Sequence, residues 1–189
     1  MKTRLALFAS GNGSNVQRIS EYFQNHPSIE VAAVYCNNPE AYVIQRAENL
    51  NLPCRIFDRE ELKSGDVLGM LVADHIDWII LAGFLWLIPE NLVEAFPGQI
   101  INVHPALLPH YGGKGMYGHH VHEAVVKNQE KESGITIHLV DEAYDHGEHL
   151  FQAKVRLEEG ETAESLAQKI HHLEYTHFPV VIEQTIKEA

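Results

Sequence analysis

RLALFASGNGSNVQRISEYF, residues 4–23, decides the fold. Its first seven residues are almost all apolar, which is typical of a strand covered on both faces. Its last nine carry Val16, Ile19, Tyr22 and Phe23 at helical spacing. Two glycines separate the two parts, and they allow the chain to turn tightly between them. The stretch therefore predicts a strand, a glycine loop and a helix in immediate succession.

The same alternation continues along the chain. Three more helices are predicted. One covers 41–50, the next begins at a capping box formed by Asp58 and Glu61, and the third begins near Pro89. Because apolar strands alternate with helices, we expect an α/β fold, a Rossmann-like open and mostly parallel sheet with helices on both faces. The further strands are predicted at VAAVYC (31–36), CRIFD (54–58), WIILAG (78–83) and QIINVH (99–104).

The pattern changes after about residue 135. GITIHLV (134–140) and LFQAKVRL (150–157) read as strands with no helix between them, which predicts an antiparallel C-terminal strand pair. A final helix is expected from about Thr162 to Ile186, bent or broken at Pro179. A chain of 189 residues suits a single domain.

Composition excludes several classes of protein. The formal net charge is −12 and no Lys/Arg-rich run occurs, so we expect no nucleic-acid partner and no membrane surface. No apolar run reaches the roughly 18 residues of a transmembrane helix, and no signal peptide is recognisable. Cys36 and Cys54 have no metal-ligand spacing, which predicts buried free thiols in a reducing compartment. The predicted location is cytoplasmic.

The glycine loop, SGNGSN at 10–15, precedes a helix N-terminus, where free N–H groups attract phosphate. The dinucleotide fingerprint is not met, because Val16 stands where a third glycine belongs. The Walker lysine is missing as well. The loop therefore suits a single phosphate, and the alternative is a plain tight turn in which Ser14 is the N-cap and Gln17 its capping-box partner.

Asn102 and His104 stand two residues apart at the end of a predicted strand, so they point to the same side. Open α/β sheets bind their ligands at such strand ends. An imidazole and a carboxamide together can stabilise an oxyanion, and the prolines of INVHPALLP (101–109) stiffen the loop that follows. The alternative is a polar strand end that bonds only to its neighbouring loop.

A carboxylate beside His104 would support its charged form. The acidic segment VDEAYDHGEH (140–149) offers Asp141 and Asp145, and the residues alone do not choose between them. The alternative for both is a solvated turn.

Taken in order, SGNGSN, LAGF (81–84), INVHPALLP and VDEAYDHGEHLFQAKV (140–155) resemble the folate-dependent glycinamide ribonucleotide formyltransferases of purine synthesis. The resemblance covers nearly the whole chain. It implies formyl transfer from the co-substrate 10-formyltetrahydrofolate to glycinamide ribonucleotide, without a metal. It also implies a phosphate-binding half at 1–100 and a catalytic, folate-binding half at 101–189.

The resemblance implies a catalytic trio of Asn102, His104 and Asp145, choosing Asp145 over Asp141. It also implies binding residues for the substrate phosphate and for the folate. The substrate phosphate would lie at Gly13, Ser14 and Asn15, with Glu174 as a nearby carboxylate. The folate would lie against Phe84, Leu85, Trp86, Leu87, Asn102, Asp141 and Asp145.

The chain departs from the family pattern in four places. Leu85 and Trp86 stand where a basic residue often follows AGF, and Ala106 follows His-Pro. The arginine that often helps to bind phosphate has only Arg59 as a counterpart. The segment 110–126 is long and glycine-rich, which suggests a flap over the site with Lys114 as a further phosphate contact.

The sequence is compatible with other functions as well. Formyl transfer to a sugar nucleotide, hydrolysis of formyl-folate and a non-catalytic phosphate-binding module are the alternatives. Thirteen histidines invite a metal site, but Val126 breaks the zincin pattern that begins at His122, and we predict none. The expected assembly is a monomer or a homodimer.

Overall fold

The computed structural model describes residues 1–189 as seven strands and seven helices. The strands are β1 (Thr3–Ala9), β2 (Ile29–Cys36), β3 (Cys54–Ile56), β4 (Trp78–Leu81), β5 (Ile100–His104), β6 (Glu132–Leu139) and β7 (His149–Arg156). The helices are α1 (Ser14–Phe23), α2 (Val43–Asn49), α3 (Arg59–Ser64), α4 (Asp66–Ala73), α5 (Glu90–Ala95), α6 (His119–Lys127) and α7 (Ala163–Glu188). The chain divides into two compact units, an N-terminal unit, Met1–Ile101, and a C-terminal unit, Asn102–Ala189.

The N-terminal unit holds the parallel strands, in the order β3-β2-β1-β4 and then the start of β5. β1 pairs in parallel with β2 and with β4, and β2 pairs in parallel with β3. Leu5 to Ala9 are buried, as the continuous apolar run predicts. α1 buries Val16, Ile19 and Phe23 along one face, as their helical spacing predicts, whereas Tyr22 is exposed.

The C-terminal unit begins within β5, which is followed in the sheet by β6 and β7. β6 and β7 pair antiparallel, with an irregularity between Ile137 and His138. The predicted mostly parallel α/β sheet with an antiparallel C-terminal strand pair is confirmed. The two predicted halves of a single domain stay a prediction.

Of the two effects predicted for Pro179, the break is wrong, because α7 is a single helix with Pro179 inside it, and the bend stays a prediction. Proline removes one helical hydrogen bond and crowds the preceding turn. Phe178, Val181 and Ile182 are buried on either side of it. Their packing holds the helix together where the local preference alone would end it.

Local sequence patterns predict the start of α3, but they predict neither the boundary between α3 and α4 nor the helix α6. Asp58 and Glu61 form the predicted capping box, with the Asp58 carboxylate accepting from the backbone N–H of Glu61. The helical stretch is then divided at Gly65, which has a φ of 100° and ends α3. α6 begins within the segment 110–126 and ends at Lys127, and the sequence did not predict this helix.

The two cysteines are free thiols, as predicted. Cys36 is buried, whereas Cys54 is only partly buried, so burial of both is not found. Burial raises the pKa of both thiols, and that of Cys54 reaches about 11. Such thiols are poor nucleophiles at neutral pH.

Candidate active site

The C-terminal unit brings four polar side chains together at the end of β5. His104 and His138 are almost fully buried, and Asn102 is partly buried. The His104 Nδ1 atom lies 3.4 Å from Asp145 Oδ1, and the Asn102 Nδ2 atom lies 3.0 Å from His138 Nε2. Asn102 and His104 therefore face the same cluster, as their spacing in the strand predicts.

Both ring nitrogens of His104 face oxygen acceptors. Its Nε2 atom lies 2.7 Å from the carbonyl oxygen of Tyr111, while its Nδ1 atom faces the Asp145 carboxylate. Because the Tyr111 carbonyl can only accept, the Nε2–H group of His104 donates to it. The same N–H group can donate to a developing oxyanion.

Asp145 is held in place by its surroundings. Burial raises the pKa of its carboxyl, but its interactions with His104, His138 and the Gly113 N–H outweigh this effect and hold the pKa well below its usual range. The Gly113 N–H donates to Asp145 Oδ2 over 2.9 Å. The carboxylate is therefore ionised at neutral pH and oriented by two partners on different atoms.

The choice between the two aspartates is clear in the structure. Asp141 accepts from the Ala143 N–H over 2.9 Å and pairs with His146 at 3.0 Å. Its side chain is partly exposed, and its hydrogen bonds are local ones within a turn. The structure thus places Asp145 beside His104, and Asp141 has the solvated-turn arrangement that was its alternative.

His138 was missed as a member of the cluster. Its Nδ1 atom donates to the Leu139 carbonyl oxygen over 2.8 Å, so its Nε2 atom accepts from Asn102. This bond fixes the orientation of the Asn102 amide, which carries a second N–H for a ligand. The one available signal was a histidine within the otherwise apolar run GITIHLV, 134–140.

Hydrogen bonds stiffen the loop after His104, in addition to its prolines. The hydroxyl of buried Thr136 donates to the Ala106 carbonyl oxygen over 2.7 Å and accepts from the Leu108 N–H over 3.0 Å. The Gln152 amide donates to the Leu108 carbonyl oxygen over 3.1 Å. The loop that begins at Pro105 is therefore tied to β6 and β7, and it keeps the end of β5 in position.

The glycine loop belongs to the N-terminal unit. Gly13, with a φ of 75°, is the N-cap of α1, and its carbonyl oxygen accepts from the Gln17 N–H over 3.0 Å. The predicted Ser14 cap with Gln17 as its partner is wrong, because the helix already includes Ser14. Asn15 follows in the first turn and is buried. The loop presents a helix N-terminus, which suits an anion.

The basic residue bound to the glycine loop is Arg46, which the sequence did not indicate. Its Nε atom donates to the Asn12 carbonyl oxygen, and its guanidinium also reaches the side chains of Asn12 and Gln17. Arg59, the expected phosphate residue, instead lies over the Trp86 ring at 4.6 Å from its centroid.

The predicted folate segment divides into two kinds of side chain. Phe84 is buried and stacks edge-on against Phe8, so it belongs to the core. Leu85 and Leu87 are exposed by 44% and 40%, and they offer an apolar surface. Glu174 is buried in α7 of the C-terminal unit, and Lys114 is exposed.

No group of three or more His, Cys, Asp or Glu side chains is arranged to hold a metal ion. None of the helices combines the length and the apolar character needed to cross a bilayer.

An oriented imidazole, a carboxamide and an ionised carboxylate, brought together at the end of a strand, are suited to catalysis at a carbonyl carbon, where an oxyanion develops. The family model described as formyl transferase matches residues 3–182. The chain belongs to the formyl transferase family.

Two curated relatives and one solved structure show the extent of the similarity. The chain is 37% identical over 188 residues to the chloroplastic phosphoribosylglycinamide formyltransferase of Arabidopsis thaliana, covering 96% of this chain and 64% of that protein. It is 34% identical to the phosphoribosylglycinamide formyltransferase of Bacillus subtilis, covering 97% and 94%. The crystal structure of glycinamide ribonucleotide transformylase 1 from Geobacillus kaustophilus matches with a TM-score of 0.87 and 35% identity, covering 96% of this chain and 97% of that one. The chain thus spans less than two thirds of the plant protein but nearly all of the bacterial one.

Proposed function

We propose that the protein transfers the formyl group of 10-formyltetrahydrofolate to the amine of glycinamide ribonucleotide, a step of purine biosynthesis. The relatives from Arabidopsis thaliana and Bacillus subtilis bear the name of this activity. The observation that carries the proposal is the His104–Asp145 pair at 3.4 Å, with the Asn102 amide beside it. A formyl oxygen that becomes negative during transfer needs such donors.

The chain's own groups suffice for the proton and charge movements of this reaction. The amine forms a bond to the formyl carbon while the carbonyl oxygen becomes negative, and His104 Nε2–H and the Asn102 amide donate to it. The bond from the formyl carbon to the folate nitrogen then breaks, and the proton lost by the amine passes to that nitrogen. Asp145 orients His104 and assists the proton through water. The folate supplies an already activated formyl group.

The Tyr111 carbonyl oxygen occupies His104 Nε2–H in this structure. We assign the same N–H to the formyl oxygen, so this bond is exchanged when the substrate binds. The Tyr111 hydroxyl donates to Glu130 over 2.6 Å and accepts from Asn128 over 2.8 Å, which anchors the residue by its side chain. A small backbone shift therefore frees the imidazole without releasing Tyr111.

The remaining residues fit the two substrates. The glycine loop with Gly13, Ser14 and Asn15 suits the phosphate of the ribonucleotide. Leu85 and Leu87 offer exposed apolar surface to a pterin ring, whereas Phe84 supports that segment from the core.

A coupled assay tests the proposal. Purified protein is incubated with glycinamide ribonucleotide and 10-formyltetrahydrofolate, and the two products are measured. We expect formylated ribonucleotide and tetrahydrofolate in equal amounts. Formate release without an amine would indicate a hydrolase, and transfer to an amino sugar nucleotide alone would indicate a different acceptor. Phosphate binding without turnover would indicate a binding module.

A further inference from the structure

Arg46 binds the glycine loop with two donor groups and helix α1 with a third. Its Nε atom donates to the Asn12 carbonyl oxygen over 2.7 Å, and Nη2 donates to Asn12 Oδ1 over 2.7 Å. Its Nη1 atom donates to Gln17 Oε1, and the Gln17 amide in turn donates to Glu21 over 2.8 Å. One guanidinium thus joins the centre of the loop to the first turn of α1.

α2 holds two successive peptide groups of this loop. The Val43 N–H donates to the Gly11 carbonyl oxygen over 3.1 Å, and Arg46 holds the carbonyl oxygen of Asn12. A trans peptide is planar, and its carbonyl and its N–H point in opposite directions. Because both carbonyls face α2, the N–H groups of Asn12 and Gly13 point away from α2. Successive N–H groups turned to one side form an anion-binding nest.

Arg46 is itself fixed by its surroundings. Val43 and Ala47 are fully buried, which fixes α2 in the N-terminal unit. The guanidinium lies over the Tyr42 ring, 5.0 Å from its centroid. Arginine's planar fork is suited to hold two acceptors in fixed directions, and a lysine ammonium is not.

We propose that Arg46 is a positioning residue of the phosphate site. It holds the loop so that the Asn12 and Gly13 N–H groups face the substrate phosphate, and it places a permanent positive charge behind them. This inference rests on the proposed function, in which the glycine loop binds the phosphate of the ribonucleotide.

The test compares Arg46→Gln and Arg46→Lys with the wild-type protein in steady-state kinetics. We expect the KM for glycinamide ribonucleotide to rise at least about fivefold in both variants, with kcat and the KM for formyl-folate nearly unchanged. The lysine variant keeps the charge and loses the fork, so its defect isolates the geometric role. A smaller rise in KM in either variant, or an equal effect on both substrates, would overturn the inference.

Arg55→Gln is the matched control, since Arg55 belongs to the same unit and pairs with Asp74 at 2.8 Å. We expect its KM for the ribonucleotide to match the wild type. Thermal melting confirms that each variant is folded, and Arg46→Lys keeps the test possible if the glutamine variant does not fold.

A second measurement separates this inference from the proposed function. Inorganic phosphate is titrated into ¹⁵N-labelled protein, and the amide signals of Asn12 and Gly13 are followed. We expect saturable shifts in the wild type and in Arg55→Gln, and at least about fivefold weaker binding in Arg46→Gln. No shift in the wild type, or equal binding in Arg46→Gln, would overturn the Arg46 inference. A wild type that binds phosphate but transfers no formyl group would instead refute the proposed function.

Discussion

Asp145 faces His104 at 3.4 Å while its own backbone is in the left-handed region, with a φ of 54°. A non-glycine residue in this conformation costs on the order of 1 kcal/mol, and such residues cluster at functional sites. Its second carboxylate oxygen accepts from the Gly113 N–H. The strained backbone at Asp145 therefore goes together with a carboxylate that faces the His104 imidazole.

Replacing Asp145 with Asn removes the negative charge and keeps the shape. We expect kcat to fall at least about tenfold, because His104 loses the carboxylate that faces its Nδ1 atom. We also expect a loss of about 1.5–3 kcal/mol in the free energy of unfolding at neutral pH, typical of a hydrogen bond to a charged group. Kinetics and urea denaturation measure the two effects.

The stabilisation of the folded protein by Asp145 should decrease as the pH falls. The pKa of its carboxyl is lowered on folding, so the stabilisation is complete above about pH 4 and is lost as the pH falls below that value. Asp141→Asn, in the same loop but partly exposed, is the control and should change neither kcat nor the free energy of unfolding appreciably. Equal effects of the two substitutions would contradict the assignment.

His104→Ala removes the proposed oxyanion donor. Removing one such donor costs about 3–4 kcal/mol, so we expect turnover with both substrates saturating to fall by roughly a hundred- to a thousandfold. His110→Ala, an exposed neighbour, should retain full turnover. A loss of less than about tenfold in His104→Ala would exclude the oxyanion role.

His122 makes the protein sensitive to acid. It is buried in α6, and desolvation together with His171, His119 and His104 lowers its pKa from 6.5 to about 4. The folded state therefore binds this proton less readily than the unfolded state. As the pH falls from 6.5 towards 4, this one group should destabilise the protein by about 3 kcal/mol.

Denaturation of His122→Leu at pH 7.5, about 5.5 and about 4 checks this expectation. The variant should lose less stability on acidification than the wild type, because leucine binds no proton. His120→Leu is the matched control, since its side chain is 61% exposed. If His122→Leu and the wild type lose stability in parallel, the buried imidazole is not the cause.

Two glycines should respond to alanine in opposite ways. A Cβ at Gly134 would lie 2.0 Å from the Ala153 carbonyl oxygen, so Gly134→Ala must displace β7 and should cost at least about 2 kcal/mol. Gly69 lies exposed within α4 and a Cβ there meets nothing within 4 Å. Gly69→Ala should stabilise by about 0.5–1 kcal/mol. Thermal melting of both variants measures the contrast, and a stabilised Gly134→Ala would contradict it.

Features set by short stretches of sequence were predictable. The strands follow from continuous apolar runs, and Asn102 and His104 share a side because strand geometry repeats every two residues. Asp58 caps α3 through contacts within four residues, so its capping box could be read directly.

Features set by distant contacts were not predictable. Arg46 meets Asn12 across 34 positions of sequence, and no local pattern marks that pair. The continuity of α7 through Pro179 depends on tertiary packing, which outweighs the local effect of proline. α6 begins with polar histidines after a glycine-rich run, so it offers only a weak helical signal.

The contact between Gly13 and Val43 has a genetic consequence. A methyl group at position 13 would come within 2.3 Å of Val43 Cγ2, and the φ of 75° at Gly13 is unfavourable for any larger residue. A growth defect caused by Gly13→Ala should therefore be rescued in part by glycine at position 43 but not by alanine, whose Cβ atom would still lie 2.6 Å away. Because the backbone strain persists, no second-site change there should restore full fitness, and the two positions should vary jointly in descendants of this chain.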